Sequence, residues 1–188
     1  MFEKFTEGAR EVVLGAARHA DDAPDHRVGE RELLFSLLDR TGTTAAGVLA
    51  RLGAHDRRPA IERDLADIRR RGGLSRQDTE ALAGLGIDVG QIVERVERTH
   101  GVGALAGARP GPRRRWFPKH RPFSAEAKAV LVRSLRIAGG RGEKRIGDEH
   151  ILLALTARPS PITHVLADHG VTYVDVERAL EGATRGGR

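Results

Sequence analysis

The sequence predicts an all-α protein built from a duplicated helical unit, and three observations predict it. Aromatic residues are 4% of the 188 residues, and Ala, Leu, Val, Gly and Arg dominate, which suits helices packed through small aliphatic contacts better than aromatic and β-branched strands. Apolar residues recur at the i, i+3, i+4 spacing of a helical face. The stretch Phe5 to Ala20, FTEGAREVVLGAARHA, also returns 118 positions later as Phe123 to Ala138, FSAEAKAVLVRSLRIA.

Each element follows from its own pattern. In the first copy Ala9, Val12, Val13, Ala16, Ala17 and Ala20 form one face, matched in the second by Ala127, Val130, Leu131, Ser134, Leu135 and Ala138. Thr6 and Ser124 stand where an N-cap oxygen takes an orphan amide of the first turn. At the same offset Val28 to Leu38, VGERELLFSLL, aligns with Ile146 to Thr156, IGDEHILLALT, a helix with acids near its N-terminus that complement the helix dipole. After a one-residue slip, VLARLG at Val48 to Gly53 aligns with VLADHG at Val165 to Gly170, a helix closed by the usual C-terminal Gly.

Between the copies, Pro59 to Arg71 is helical by period through Ile61, Leu65 and Ile68, and Ser75 to Asp78 reads as a capping box opening a short helix to Leu85. Asp88 to His100 forms another helix through Val89, Ile92, Val93 and Val96, and Thr172 to Leu180 is read as its counterpart in the second copy. The expected organisation is a first repeat over 1–107 with a helical insertion at about 54–87 and a linker at 108–122. A second repeat follows over 123–182, with a flexible tail at 183–188.

The formal charge of +6 is local. Arg109, Arg113, Arg114, Arg115, Lys119 and Arg121 carry it alone, in a stretch without acids, and the other 26 basic residues balance 26 acidic ones. A basic surface spread over the fold is thus excluded. With Trp116 and Phe117 interleaved, the stretch supports a second reading, a regulator that contacts nucleic acid through phosphates and stacking. Cys is 0, which removes disulfides, thiolate zinc sites, a thiol nucleophile and a CxxC pair. The first fifteen residues carry Glu3, Lys4, Glu7, Arg10 and Glu11, so no signal peptide is read there, and no apolar run reaches the roughly 18 residues of a membrane span. A cytoplasmic protein, without membrane contact, is expected.

Catalytic motifs are missing. There is no GxxxxGK followed by Ser or Thr to hold phosphates and no GxSxG element; Gly139 to Arg145, GGRGEKR, lacks the spacing of a phosphate loop and reads as an interhelical turn. His164 and His169 are five apart and cannot share a helical face as metal ligands, and His150 beside Glu149 has no third ligand in view. No enzyme, no cofactor and no metal are therefore expected.

FTEGAREVV and FSAEAKAVL, each followed by a Gly-acid-x-x-L-L type helix and a helix ending in VLARLG or VLADHG, resemble the N-terminal repeat domain of the Clp AAA+ unfoldases, closest to the ClpC and ClpA type. Each family copy reads approximately FTxRAxxVLxxAxxEA, then GHxxIGTEHLLLGLL. Asp25 to Gly29 and Glu143 to Gly147 occupy the GHxxIG position here. The resemblance implies two four-helix repeats related by a pseudo-twofold, without ATPase modules, and a non-enzymatic binding protein of proteolytic quality control. It would act as adaptor, competitor or decoy toward a Clp unfoldase, its adaptors or its substrates, as a monomer.

The resemblance also implies two ligand surfaces. In ClpC-type relatives the Glu of GTEH pairs with the guanidinium of phosphoarginine, a planar fork suited to a carboxylate. The second copy keeps it as Glu149, beside Asp148, whereas the first copy has Arg31. In some relatives a groove along the first helices holds cyclic peptides; Phe2, Arg10, Val13, Phe123 and Lys128 match its positions, and Val132 replaces a family Glu.

Overall fold

In a computed structural model of the chain, residues 2–21, 23, 26–106 and 121–185 are described. Among them are ten α-helices and no strand. Helix α1 (Glu7–His19) starts where Thr6 Oγ1 accepts the Ala9 N–H at 3.2 Å, and α7 (Ala125–Gly140) where Ser124 Oγ accepts the Ala127 N–H at 3.1 Å. Helices α2 (Glu30–Leu38) and α8 (Asp148–Thr156) form the centre. Their apolar content all round buries them all round, through Leu33, Leu34 and Leu37 on one and Ile151, Leu152, Leu153 and Leu155 on the other. They pack on each other, with α1 against α2 and α7 against α8.

Helices α3 (Thr44–Arg51) and α9 (Pro161–Asp168) end alike. Gly53 and Gly170 take φ of +68° and +72°, which lets Ala54 and Val171 return N–H bonds of 2.8 Å to Leu49 and Leu166. The remaining helices are α4 (Arg58–Arg70), α5 (Arg76–Gly84), α6 (Val89–His100) and α10 (Tyr173–Arg185). Pro59 opens α4, where its missing N–H costs nothing, and the Ser75–Asp78 box opens α5.

The pseudo-twofold is visible in backbone pairing. Phe5 bridges Ile146 and Val28 bridges Phe123, both parallel, and shifting Phe5 forward and Ile146 back by 118 positions gives the other pair. Thr6 N–H donates to the Ile146 carbonyl at 2.9 Å as Ser124 N–H does to Val28, and Ile146 N–H donates to Lys4 at 2.7 Å as Val28 N–H does to Pro122 at 3.0 Å. One core spans both copies.

One correspondence read from the sequence is corrected. Helix α10 packs on α3, and the helix that packs on α9 is α4, not α6. Helix α4 follows α3 directly, as α10 follows α9, so it fills the fourth place of the first repeat; α6 contacts α5 and the 3-10 turn Ala104–Ala106. Ile61, Leu65 and Ile68 are buried accordingly, while α6 buries Val89 and Val93 and leaves Ile92 48% exposed. Leu135, expected on the buried face of α7, is 45% exposed, because α7 packs chiefly on α8 and α2, a face narrower than its apolar stripe.

Candidate functional site

The start of α8 collects the residues the sequence pointed to. Gly147 N–H donates to His150 Nδ1 at 2.9 Å, closing the first turn. The same nitrogen lies 3.1 Å from Glu149 Oε1, and Nε2 lies 3.4 Å from Glu143 Oε1. The His150 side chain is fully buried and its Nε2 makes no hydrogen bond. Burial pulls the imidazole down, but Glu149 and Glu143 outweigh it and hold His150 above the usual range. Burial pushes Glu149 up, and the adjacent His150 reverses this, so Glu149 lies low. Asp148 is raised by burial, with Glu149 adding to the effect.

Glu143 is the partner the sequence did not show, since it sits in the preceding turn outside any periodic pattern. Oxygens of Glu143 and Glu149 and a His150 nitrogen all lie within 4.8 Å of one another, close enough for a shared cation. Ligation through Nε2 would require the ring proton on Nδ1, where the Gly147 N–H points, so this geometry favours a hydrogen-bonded imidazole over a ligand. Gly147 has to be Gly for this arrangement, because a Cβ there would lie 2.0 Å from Glu149 Oε1.

Asp148 faces the other repeat. Its Oδ2 accepts the Ala45 N–H of α3 at 3.1 Å, and Thr43 supplies a further hydrogen bond. The equivalent acid of the first copy, Glu30, bonds Ser160, the N-cap of α9; burial dominates and raises its carboxyl. Asp148 and Glu30 thus each tie the start of a central helix to the third helix of the opposite repeat. Arg31, the first-copy counterpart of Glu149, pairs with Glu32 at 3.1 Å and stacks over Phe35, 4.5 Å from the ring centroid. Glu32 in turn accepts the Gly29 N–H at 2.9 Å.

Of the residues expected to line a peptide groove, Arg10, Lys128 and Val132 are exposed and Phe123 is half-buried at its bridge to Val28. Val13 is 5% exposed and belongs to the core; its place on the inward stripe of α1 removes it from any surface. Phe2 lies in the 3-10 turn Phe2–Lys4, and its side chain is outside the described residues. Helices α1 and α7 are joined through the central pair, on which both pack. Outward, they carry Leu14 and Val132 at equivalent positions, 62% and 48% exposed. Of the basic stretch, 109–120 lies outside the described residues, and Arg121 pairs with Asp21.

Two cavities open nearby. One of about 670 Å³ lies at the start of α2, and another of about 570 Å³ between α4, α5 and α9 is lined by Asp64, Asp67, Glu80, Asp168, His164 and His169.

A pseudo-symmetric pair of helical repeats, each with a buried central helix whose N-terminus carries the polar residues, defines the class: an all-α tandem-repeat domain. Residues 122–187, which hold the second repeat, match the family described as the Clp repeat (R) N-terminal domain. The whole chain is similar to the N-terminal domain of the caseinolytic protease associated chaperone ClpD from Arabidopsis thaliana, with a TM-score of 0.52 and 17% identity over 98% of this chain and 97% of that one. It is also similar to the Hsp104 N-terminal domain from Candida albicans, with a TM-score of 0.51 and 16% identity over 95% of this chain and 89% of that one. The 188 residues contain no ATPase module, and among the described residues no helix is long and apolar enough to cross a membrane.

Proposed function

We propose that this chain is a non-enzymatic binding module of protein quality control, which engages substrates, adaptors or peptide ligands of a Clp unfoldase as adaptor, competitor or decoy. The observation that carries the reading is the tandem Clp-type fold in a sequence without phosphate-loop or nucleophile motifs. Phosphoarginine pairing is assigned to Glu149, 17% exposed at its side chain and held charged beside His150. Asp148 acts there as a positioning residue, through its hold on α3. Arg31, engaged by Glu32 and Phe35, leaves the first-copy site without a guanidinium-pairing carboxylate at that position. Peptide contact along α1 and α7 falls to Phe2, Arg10, Phe123, Lys128 and Val132.

The test is competition. Purified chain, titrated into a reconstituted Clp unfoldase and protease from the same organism, is expected to change the degradation rate of a model substrate in a saturable way. Unchanged degradation at large excess, with either an unmodified or an arginine-phosphorylated substrate, would sink the reading. Loss of the effect in Glu149→Ala alone assigns it to the α8 site.

A further inference from the structure

We propose that the cavity at the start of α2 binds an acidic peptide segment, its carboxylates taken by Arg69 and its aliphatic side chains laid on Leu65, Ile68 and Ile162. The inference deepens the binding function above and rests on it. The cavity, about 670 Å³, is bounded by the first turn of α2, the inner face of α4, Gly72 and Gly73, the returning residues Leu105 and Ala106, and the starts of α7 and α9. Leu65, Ile68 and Ile162 are core residues whose remaining surface lines it.

Its formal charges balance, with Arg27, Arg31 and Arg69 against Glu30, Glu32 and Glu126, but their engagements do not. Glu32 is spent on the Gly29 N–H and on Arg31. Glu30 bonds Ser160, the N-cap of α9. Glu126 is held by its own backbone amide and Ser124 at the start of α7. Arg31 is occupied by Glu32 and Phe35. Among the described residues, Arg69, half-buried on the cavity wall, finds no hydrogen bond or ion pair for its guanidinium. A half-desolvated planar fork with its donors unmet calls for an oxyanion, and a carboxylate accepts it through two parallel bonds. Arg27 also lines the cavity, where its charge acts on Glu126.

The pseudo-twofold supplies the contrast. At the equivalent start of α8, Asp148 is 4% exposed and accepts the α3 amide of Ala45. At α2 the longer Glu30 caps α9 through a hydroxyl, and the Ala104–Ala106 turn packed on α4 extends the wall. The segment absent from the second repeat thus serves to build a cavity beside the first.

The experiment is fluorescence anisotropy of three labelled dodecapeptides composed of Leu with Glu, Leu with Gln, and Leu with Lys, on the full chain and on Arg69→Ala. Arg63→Ala, on the outer face of α4, is the control. The Glu peptide is expected to bind, the Gln peptide about tenfold more weakly and the Lys peptide not at all, and Arg69→Ala should cost about tenfold against Arg63→Ala. Unaltered thermal midpoints show that both variants fold. Equal binding by Arg69→Ala, or a Gln peptide bound as tightly as the Glu peptide, overturns the cavity assignment while leaving the binding function standing. Silence with all three peptides also overturns it, and the degradation assay then decides the wider function by itself.

Discussion

His150 is the residue whose charge state has the clearest thermodynamic signature. Its folded pKa is raised by Glu149 and Glu143 over the opposing effect of burial. Its contribution to stability is therefore fully present below the ordinary imidazole value of about 6.5 and is lost as pH rises through the folded value. Urea midpoints measured from about pH 5.5 to about 8.5 should fall with rising pH more steeply in the wild type than in His150→Gln. Parallel profiles would mean that the two carboxylates do not act on the ring. Asp148 permits a second comparison: Asp148→Ala leaves the buried Ala45 N–H without its acceptor and should lose about 1–3 kcal/mol. Asp148→Asn keeps an oxygen at that place without the raised carboxyl, so it should lose less; chemical denaturation of the pair measures the difference.

At the scale of elements, two glycines in helices are expected to respond in opposite directions. Gly15 is where α1 meets α2: a Cβ would stand 2.2 Å from Ser36 Oγ and 3.2 Å from its Cβ, so Gly15→Ala should destabilise by about 1–3 kcal/mol. Gly47 in α3 has nothing within 4 Å, and Gly47→Ala should stabilise by about 0.5–1 kcal/mol through helix propensity. Thermal melts of both variants check the signs. The same contrast explains what the sequence disclosed. Thr6 and Ser124, Gly53 and Gly170, and the apolar faces of α1, α4 and α7 are local signals, and helix ends were legible from them. The assignment of the fourth helix to α6 failed because α4 and α6 are both amphipathic, and only packing on α9 distinguishes them. Glu143 and Arg69 were illegible for a related reason. Each is one charged residue among many, singled out only by what the fold brings within reach.

For the molecule as a whole, the two repeats share one core and are expected to unfold together. The core is continuous across them, Asp148 holds α3, and Arg57 of the first repeat donates to the His169 carbonyl of the second. A fragment of residues 121–188 is thus expected to show no cooperative thermal transition by circular dichroism, whereas the full chain melts in a single step. A folded fragment would instead mean that the second copy carries a self-sufficient core. The cavity at α2 depends on the same unity, since its walls come from α4 of one repeat and from the starts of α7 and α9 of the other.

The reciprocal backbone bridges also bear on the order in which the chain can acquire its structure. Val28 cannot find the carbonyl of Pro122, nor Ile146 that of Lys4, until most of the polypeptide has been synthesised. While the first repeat is emerging from a ribosome, the segment leading into α2 is left with open amides and α3 without Asp148. Closing loops of 94 and 142 residues makes these bridges non-local contacts, so the chain should fold more slowly than an up-and-down bundle of equal size. A nascent chain stalled before the second repeat would accordingly be a ready client for the chaperones of its own cell.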